Sequence, residues 1–178
     1  PDDKRMLDQS DINDLSDENE NDIKNRKIAV CLHLFYIDLT DEFVSYLNHI
    51  PFEFDLYIST TKEERKIIEK SFEDIRNVNR LKVKTYSNVG RDIYPFIKLF
   101  NKYFRKYDYV CKIHSKKSEH QPLLKGWRQY LLKNLLGSEL SVKRIINAFE
   151  NDPGVGIIFP VKYPLIGHLR ESNNWGMS

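Results

Sequence analysis

The densest run of chemistry-bearing side chains lies between Asn88 and Ser118. There an apolar stretch (Tyr109, Val110, Cys111, Ile113) ends abruptly in His114, Ser115, Lys116, Lys117 and Ser118. One imidazole, hydroxyls and two ammonium groups in sequence are suited to an anion, and a diphosphate above all. Just upstream stands Asn88-Val-Gly-Arg-Asp92. Here Gly90 lets backbone approach a ligand, with Asn88 and Arg91 beside it, and Asp92 offers a carboxylate where a helical pattern begins. Further polar groups follow earlier apolar runs: His33 and Tyr36 after the first, Ser59 and Thr60 after the second. Tyr36 presents a stacking face for a base, and Ser59 and Thr60 can hydrogen-bond its edge.

Each residue also has a structural reading. His33 reads as a hydrogen-bonded core histidine or as a ligand. Tyr36 reads equally as packing, and Gly90 as a turn. Lys116 and Lys117 alone would be a solvated loop, and Asp92 and Arg91 an ordinary first-turn charge with its exposed neighbour. Trp127 and Arg128 read as helix packing with a stacked guanidinium. What favours a site is that all the candidates follow strands.

The elements that must position them alternate. Ile28–Phe35 is a continuous apolar run of buried-strand length. Thr40 caps a helix whose inner face is Phe43, Val44, Leu47 and Ile50, stopped by Pro51. Phe52–Ser59 is a second strand, and Ile67, Ile68, Phe72 and Ile75 mark a second helix. Leu81–Tyr86 is a third strand and Asp92–Phe104 a third helix, with Pro95 in its first turn. Tyr107–Ile113 is a fourth strand. Pro122–Leu136 is a helix closed by Gly137 in a left-handed cap. Ser138 or Ser141 caps a helix through Phe149, and Val155–Phe159 is a fifth strand after the Asn151–Gly154 turn. Such alternation predicts an α/β fold with a mostly parallel sheet flanked by helices. In that fold, strand ends converge on one ligand-binding edge.

At 178 residues the chain suits a single core-forming domain. Its net charge of +2 is uneven. Residues 1–26 carry about −5, which reads as an acidic linker or docked segment, and residues 27–178 about +7. No run approaches the ~20 apolar residues of a membrane helix, and no signal peptide is evident. The chain is expected to be an excised, C-terminally incomplete piece of a longer protein. Cys31 and Cys111 read as reduced core residues of a cytoplasmic protein. No Gly-x-Gly-x-x-Gly follows the first strand, and no Gly-x-x-x-x-Gly-Lys-Ser/Thr occurs, which argues against dinucleotide and P-loop enzymes. Zinc spacing and a Gly-x-Ser-x-Gly elbow are also missing. Basic residues interleaved with acids and lacking a stacking platform argue against nucleic acid.

Several segments together resemble the rhamnan synthesis protein F family, which serves bacterial cell-surface polysaccharide assembly. They are Ile28-Ala-Val-Cys-Leu-His-Leu-Phe-Tyr, Phe54-Asp-Leu-Tyr-Ile-Ser-Thr-Thr, Asn88-Val-Gly-Arg-Asp-Ile-Tyr-Pro-Phe and Tyr107-Asp-Tyr-Val-Cys-Lys-Ile-His-Ser-Lys-Lys-Ser. Gly126-Trp-Arg, Leu135-Leu-Gly-Ser and Asp152-Pro-Gly-Val-Gly-Ile-Ile-Phe-Pro complete the match over residues 27–178. The resemblance implies a Rossmann-like, GT-A-like fold and an inverting hexosyltransferase. The donor would be a nucleotide-diphospho-sugar, typically dTDP-rhamnose, and the acceptor a glycan or lipid-linked glycan. Where most GT-A enzymes place Asp-x-Asp for Mg²⁺ or Mn²⁺, His114-Ser-Lys116 stands, and ammonium groups repel such a cation. The expectation is direct neutralisation of the diphosphate by Lys116 and Lys117, with a hydrogen bond from His114. Asp92 is the candidate base, unless the base lies beyond Ser178. The competing class is a non-catalytic glycan- or protein-binding module. In either case the basic core could touch the inner membrane face or other assembly enzymes.

Overall fold

A computed structural model of the chain describes residues 25–61, 63, 65–117, 124–161 and 163, together with Ile23. Four strands, β1 (Ile28–His33), β2 (Phe54–Thr60), β3 (Val78–Thr85) and β4 (Tyr109–His114), form one parallel sheet in the order β3-β2-β1-β4. Five α-helices join or follow them among the described residues: α1 (Thr40–Leu47), α2 (Arg65–Phe72), α3 (Ile93–Tyr103), α4 (Trp127–Leu136) and α5 (Glu139–Asn151). Every residue of β1 and β2 is buried, as expected of central parallel strands covered on both faces.

The faces are covered unequally. Val30, Leu32, Leu56, Ile58, Val83 and Ile113 pack with residues of α1, α2, α4 and α5. On the opposite face Ala29, Cys31 and Tyr57 pack with Leu99 of α3 and with Phe104. The chain therefore runs β1, β2, β3 in one direction, crosses under the sheet through α3, and adds β4 on the far side of β1. The place where the order reverses is the gap between β1 and β4. The architecture is the Rossmann-like α/β class that the alternation predicts.

Several local expectations need correction. Val155–Phe159 is not a strand: it makes no ladder, and Ile157 and Phe159 are about three-quarters exposed (76% and 73%). Gly154 and Gly156 loosen this run, Pro160 removes a donor, and the outer edge of β4 has no partner among the described residues. β1 stops at His33, and β3 starts at Val78. Thr40 is the first residue of its helix, not its cap, and its hydroxyl donates to the Ile37 carbonyl at 2.6 Å. Gly137 is right-handed (φ −69°). It is required for space, because a Cβ there would lie 2.2 Å from the Lys133 carbonyl oxygen. Ser138, not Ser141, is the cap of α5, its Oγ accepting from Ser141 N at 3.1 Å. α4 begins at Trp127; the expected start at Pro122 lies outside the described residues. So does most of the acidic segment, although Ile23 is buried and Arg26 pairs with Glu150 at 2.6 Å.

Cys31 and Cys111 are free thiols. They occupy adjacent strands but opposite sheet faces, and burial pushes both up to about 12, so they are protonated packing residues. Among the described residues no helix is long and apolar enough to cross a membrane.

Candidate functional site

β1 and β4 are hydrogen-bonded neighbours in register, so their last residues, His33 and His114, stand side by side at the C-terminal edge. That edge, at the reversal of strand order, is where open α/β sheets bind ligands. Because alternate strand residues share a face, Lys112 and His114 project to the α3 side with Cys31 and His33. The loop before α3 arrives there through two consecutive left-handed residues, Gly90 (φ +66°) and Arg91 (φ +52°). Glycine is needed at the first, since a Cβ would lie 2.8 Å from the Cβ of Tyr94. This turn sets Asp92 at the head of α3. Its carboxylate makes no helix cap; it accepts from Lys112 Nζ at 2.5 Å and lies 3.8 Å from His114 Nδ1. His33 Nδ1 and Ser59 Oγ share a hydrogen bond at 2.9 Å.

These groups set each other's charge. Burial would raise the Asp92 pKa, but the hydrogen bond and charge of Lys112, with a contribution from His114, hold it below the usual carboxylate value. Burial lowers both His33 and His114, more than the nearby Asp92 raises them. At neutral pH the cluster is an ion pair flanked by two neutral imidazoles.

The remaining candidates gather on the other side of the β4 exit. Ser115 is buried, and its Oγ accepts from the backbone N–H groups of Phe35 (2.7 Å) and Tyr36 (3.1 Å), tying the end of β1 to the end of β4. Lys117 pairs with Asp38 and sits 5.1 Å from the ring centroid of Tyr36. Lys116 is exposed, with its ammonium 5.1 Å from the Trp127 ring centroid. Its carbonyl accepts from Arg128, which also pairs with Glu42 at 2.9 Å. A small cavity of about 140 Å³ opens here, with Ile113, Lys116, Trp127, Arg128, Leu132 and Leu135 in its wall and the β4 backbone at Lys112 and His114 along one side.

The structure thus brings together Asp92, His33, Ser59 and His114 in one group, and Tyr36, Ser115, Lys116 and Lys117 in an adjoining one. Thr60 is buried beyond Ser59, while Asn88 and Arg91 are exposed in the loop that delivers Asp92. Ser118 lies outside the described residues. Sequence reasoning missed Lys112, taken as part of an apolar strand. A lysine between Cys111 and Ile113 in an apolar strand pattern is itself the signal, because an ammonium half-buried against the sheet needs a partner. Trp127 and Arg128, read as packing, form part of the cavity wall.

The donor set does not fit a hard divalent cation. Asp92, Asp38 and Glu42 are each engaged by a lysine or arginine. Among the described residues no group of three or more His, Cys, Asp or Glu side chains could hold a metal.

The fold is a doubly wound parallel α/β domain with a cationic and imidazole-lined edge at its reversal point. The chain belongs to the rhamnan synthesis protein F family, whose model matches residues 1–175. Two curated relatives, each named uncharacterized protein WxcX, come from two strains of Xanthomonas campestris pv. campestris. They are 35% and 34% identical over 133 residues, covering 74% of this chain. The chain spans 19% of the length of these relatives. No solved structure matches it. The family's description is one of rhamnan synthesis.

Proposed function

We propose that residues 27–178 form the nucleotide-diphospho-sugar-binding domain of a glycosyltransferase in bacterial surface polysaccharide synthesis. The family's description, rhamnan synthesis, supports rhamnose as the sugar; the donor of this reading is dTDP-rhamnose and the acceptor a glycan or lipid-linked glycan. The observation that carries the reading is the convergence of Lys112, His114, His33 and Asp92 where β1 and β4 part.

The roles follow from the charges. Lys116 has no carboxylate partner among the described residues and is the ammonium available to a diphosphate; Lys117 reaches one only by leaving Asp38. His114, neutral, offers one N–H, while His33 Nδ1 is engaged by Ser59. Tyr36 offers its ring to the base. Asp92 is held ionised by Lys112, which suits accepting from a sugar hydroxyl better than taking a proton. The 140 Å³ cavity is smaller than the ~300–1,000 Å³ of typical small-molecule sites, so it takes one part of the donor, with the rest on the open edge.

Calorimetric titration of the full chain with dTDP, UDP and GDP tests this. Micromolar binding of one nucleotide is expected, unchanged by EDTA and weakened roughly tenfold or more by Lys116→Ala, the loss of one charge-assisted contact. No binding to any of the three would refute the donor site and favour a non-catalytic glycan- or protein-binding module.

A further inference from the structure

Between residues 80 and 106 the chain carries eight Lys and Arg residues and one acid, Asp92, which is committed to Lys112. The fold places much of this charge on one side. Leu81 and Val83 of β3 belong to the large core, so Arg80, Lys82 and Lys84, alternating with them, face the α3 side. Lys98 and Lys102 are exposed on α3. Lys82 and Lys102 approach the same ring, Tyr103, at 4.4 and 5.5 Å from its centroid, so strand and helix cations form one patch. Burial alone would raise the Tyr103 phenol, yet the hydrogen bond from Lys82 and the charges of Lys82, Lys102 and Lys84 bring it below its ordinary value.

Charge on an open edge strand has an ordinary use in preventing edge-to-edge pairing. That accounts for β3 but not for α3. The outer side of α3 also exposes Ile93, Ile97 and Phe100, at 53%, 49% and 40%. Their i, i+4, i+7 spacing makes an apolar stripe on one flank of the exposed side of α3, with Lys98 and Lys102 on the other flank. A nucleic acid would use the cations and leave this stripe in water. An anionic bilayer uses both, with apolar side chains entering the headgroup layer and lysines meeting lipid phosphates.

We infer that the outer face of α3, with the cationic side of β3, docks on an anionic membrane surface. α3 starts one residue after Asp92, so docking brings the C-terminal sheet edge close to the lipid. The inference stands on the patch itself and does not require nucleotide binding.

Flotation of the full chain with phosphatidylcholine vesicles, with and without about one-third phosphatidylglycerol, tests it. Binding is expected only with the anionic lipid and should fade at high salt. Lys98→Glu with Lys102→Glu should cut binding roughly tenfold or more, and Ile97→Ser with Phe100→Ser should also reduce it. Lys66→Glu with Lys70→Glu, on α2, should change it little. All six positions lie outside the core, and circular dichroism verifies the fold of each variant. Equal binding to neutral vesicles, no binding to anionic ones, or indifference to the Lys98/Lys102 change would overturn the inference. Binding to duplex DNA or to RNA that ignores the Ile97/Phe100 change, without vesicle binding, would assign the patch to nucleic acid instead.

Discussion

The two faces of the sheet solve the burial problem differently. On the face covered by α1, α2, α4 and α5, twenty-one buried apolar residues form one cluster among the described residues. On the α3 face the corresponding cluster has five, and polar groups fill the remaining places. Asp55 accepts from Tyr107 and Asn79, Ser59 meets His33, and Lys112 meets Asp92. Buried polar groups that are paired cost little, but they contribute far less than the apolar surface they displace. Cohesion resides on the first face, and the second holds polar groups paired with one another.

A cavity on the cohesive face should have the largest effect. Phe43 of α1 is fully buried in the large cluster. Phe43→Ala should lower unfolding free energy by about 3–5 kcal/mol in urea titrations. Cys31→Ala, equally central in β1 but on the α3 face, removes a small side chain and should cost about 1 kcal/mol. Equal losses at the two positions would mean that the α3 face is as cohesive as the other.

A smaller effect lies where the two faces meet. Ser115 Oγ holds two backbone N–H groups of the β1 exit, so Ser115→Ala leaves both without a side-chain acceptor in a half-buried place. The expected cost is about 1–3 kcal/mol, with faster amide exchange localised at Phe35 and Tyr36. Unchanged exchange there would show that the β1 exit is held by other contacts, and would detach Ser115 from the site.

How much of this was readable beforehand follows the same division. The first face was legible because its residues recur with helical or strand period: Phe43 with Leu47, Ile68 with Phe72, Leu56 with Ile58. Positions that follow strands were legible too, which is why His33, Ser59, Asp92 and His114 were found before their geometry was. Lys112 was not, because hydrophobic pattern reading treats one lysine within Tyr109–Ile113 as noise, and its partner Asp92 is 20 residues away. Val155–Phe159 failed for the opposite reason. Its β-branched residues report strand propensity, whereas a strand exists only with a neighbour to pair with. Ser115 was visible as a hydroxyl, but nothing local reveals that the end of another strand donates to it.

The finest test of the contrast is pH. Folding lowers the pKa of both His33 and His114 from 6.5, chiefly through burial on the α3 face. Below that value the unfolded chain binds protons that the folded one resists, so stability is full above about pH 6.5 and declines as pH falls toward the folded values. Asp92, depressed from 3.8, loses its contribution only in a separate and more acidic window. The urea midpoint should therefore slip between pH 7 and 5, and His33→Asn with His114→Gln should flatten that slope while leaving the Phe43→Ala penalty intact at pH 7. A bound diphosphate favours the imidazolium and should reverse the slope, because protonation then gains an anionic partner. A wild-type slope that persists in the double variant would place the titrating groups elsewhere and remove the imidazoles from the charge balance of the β1–β4 edge.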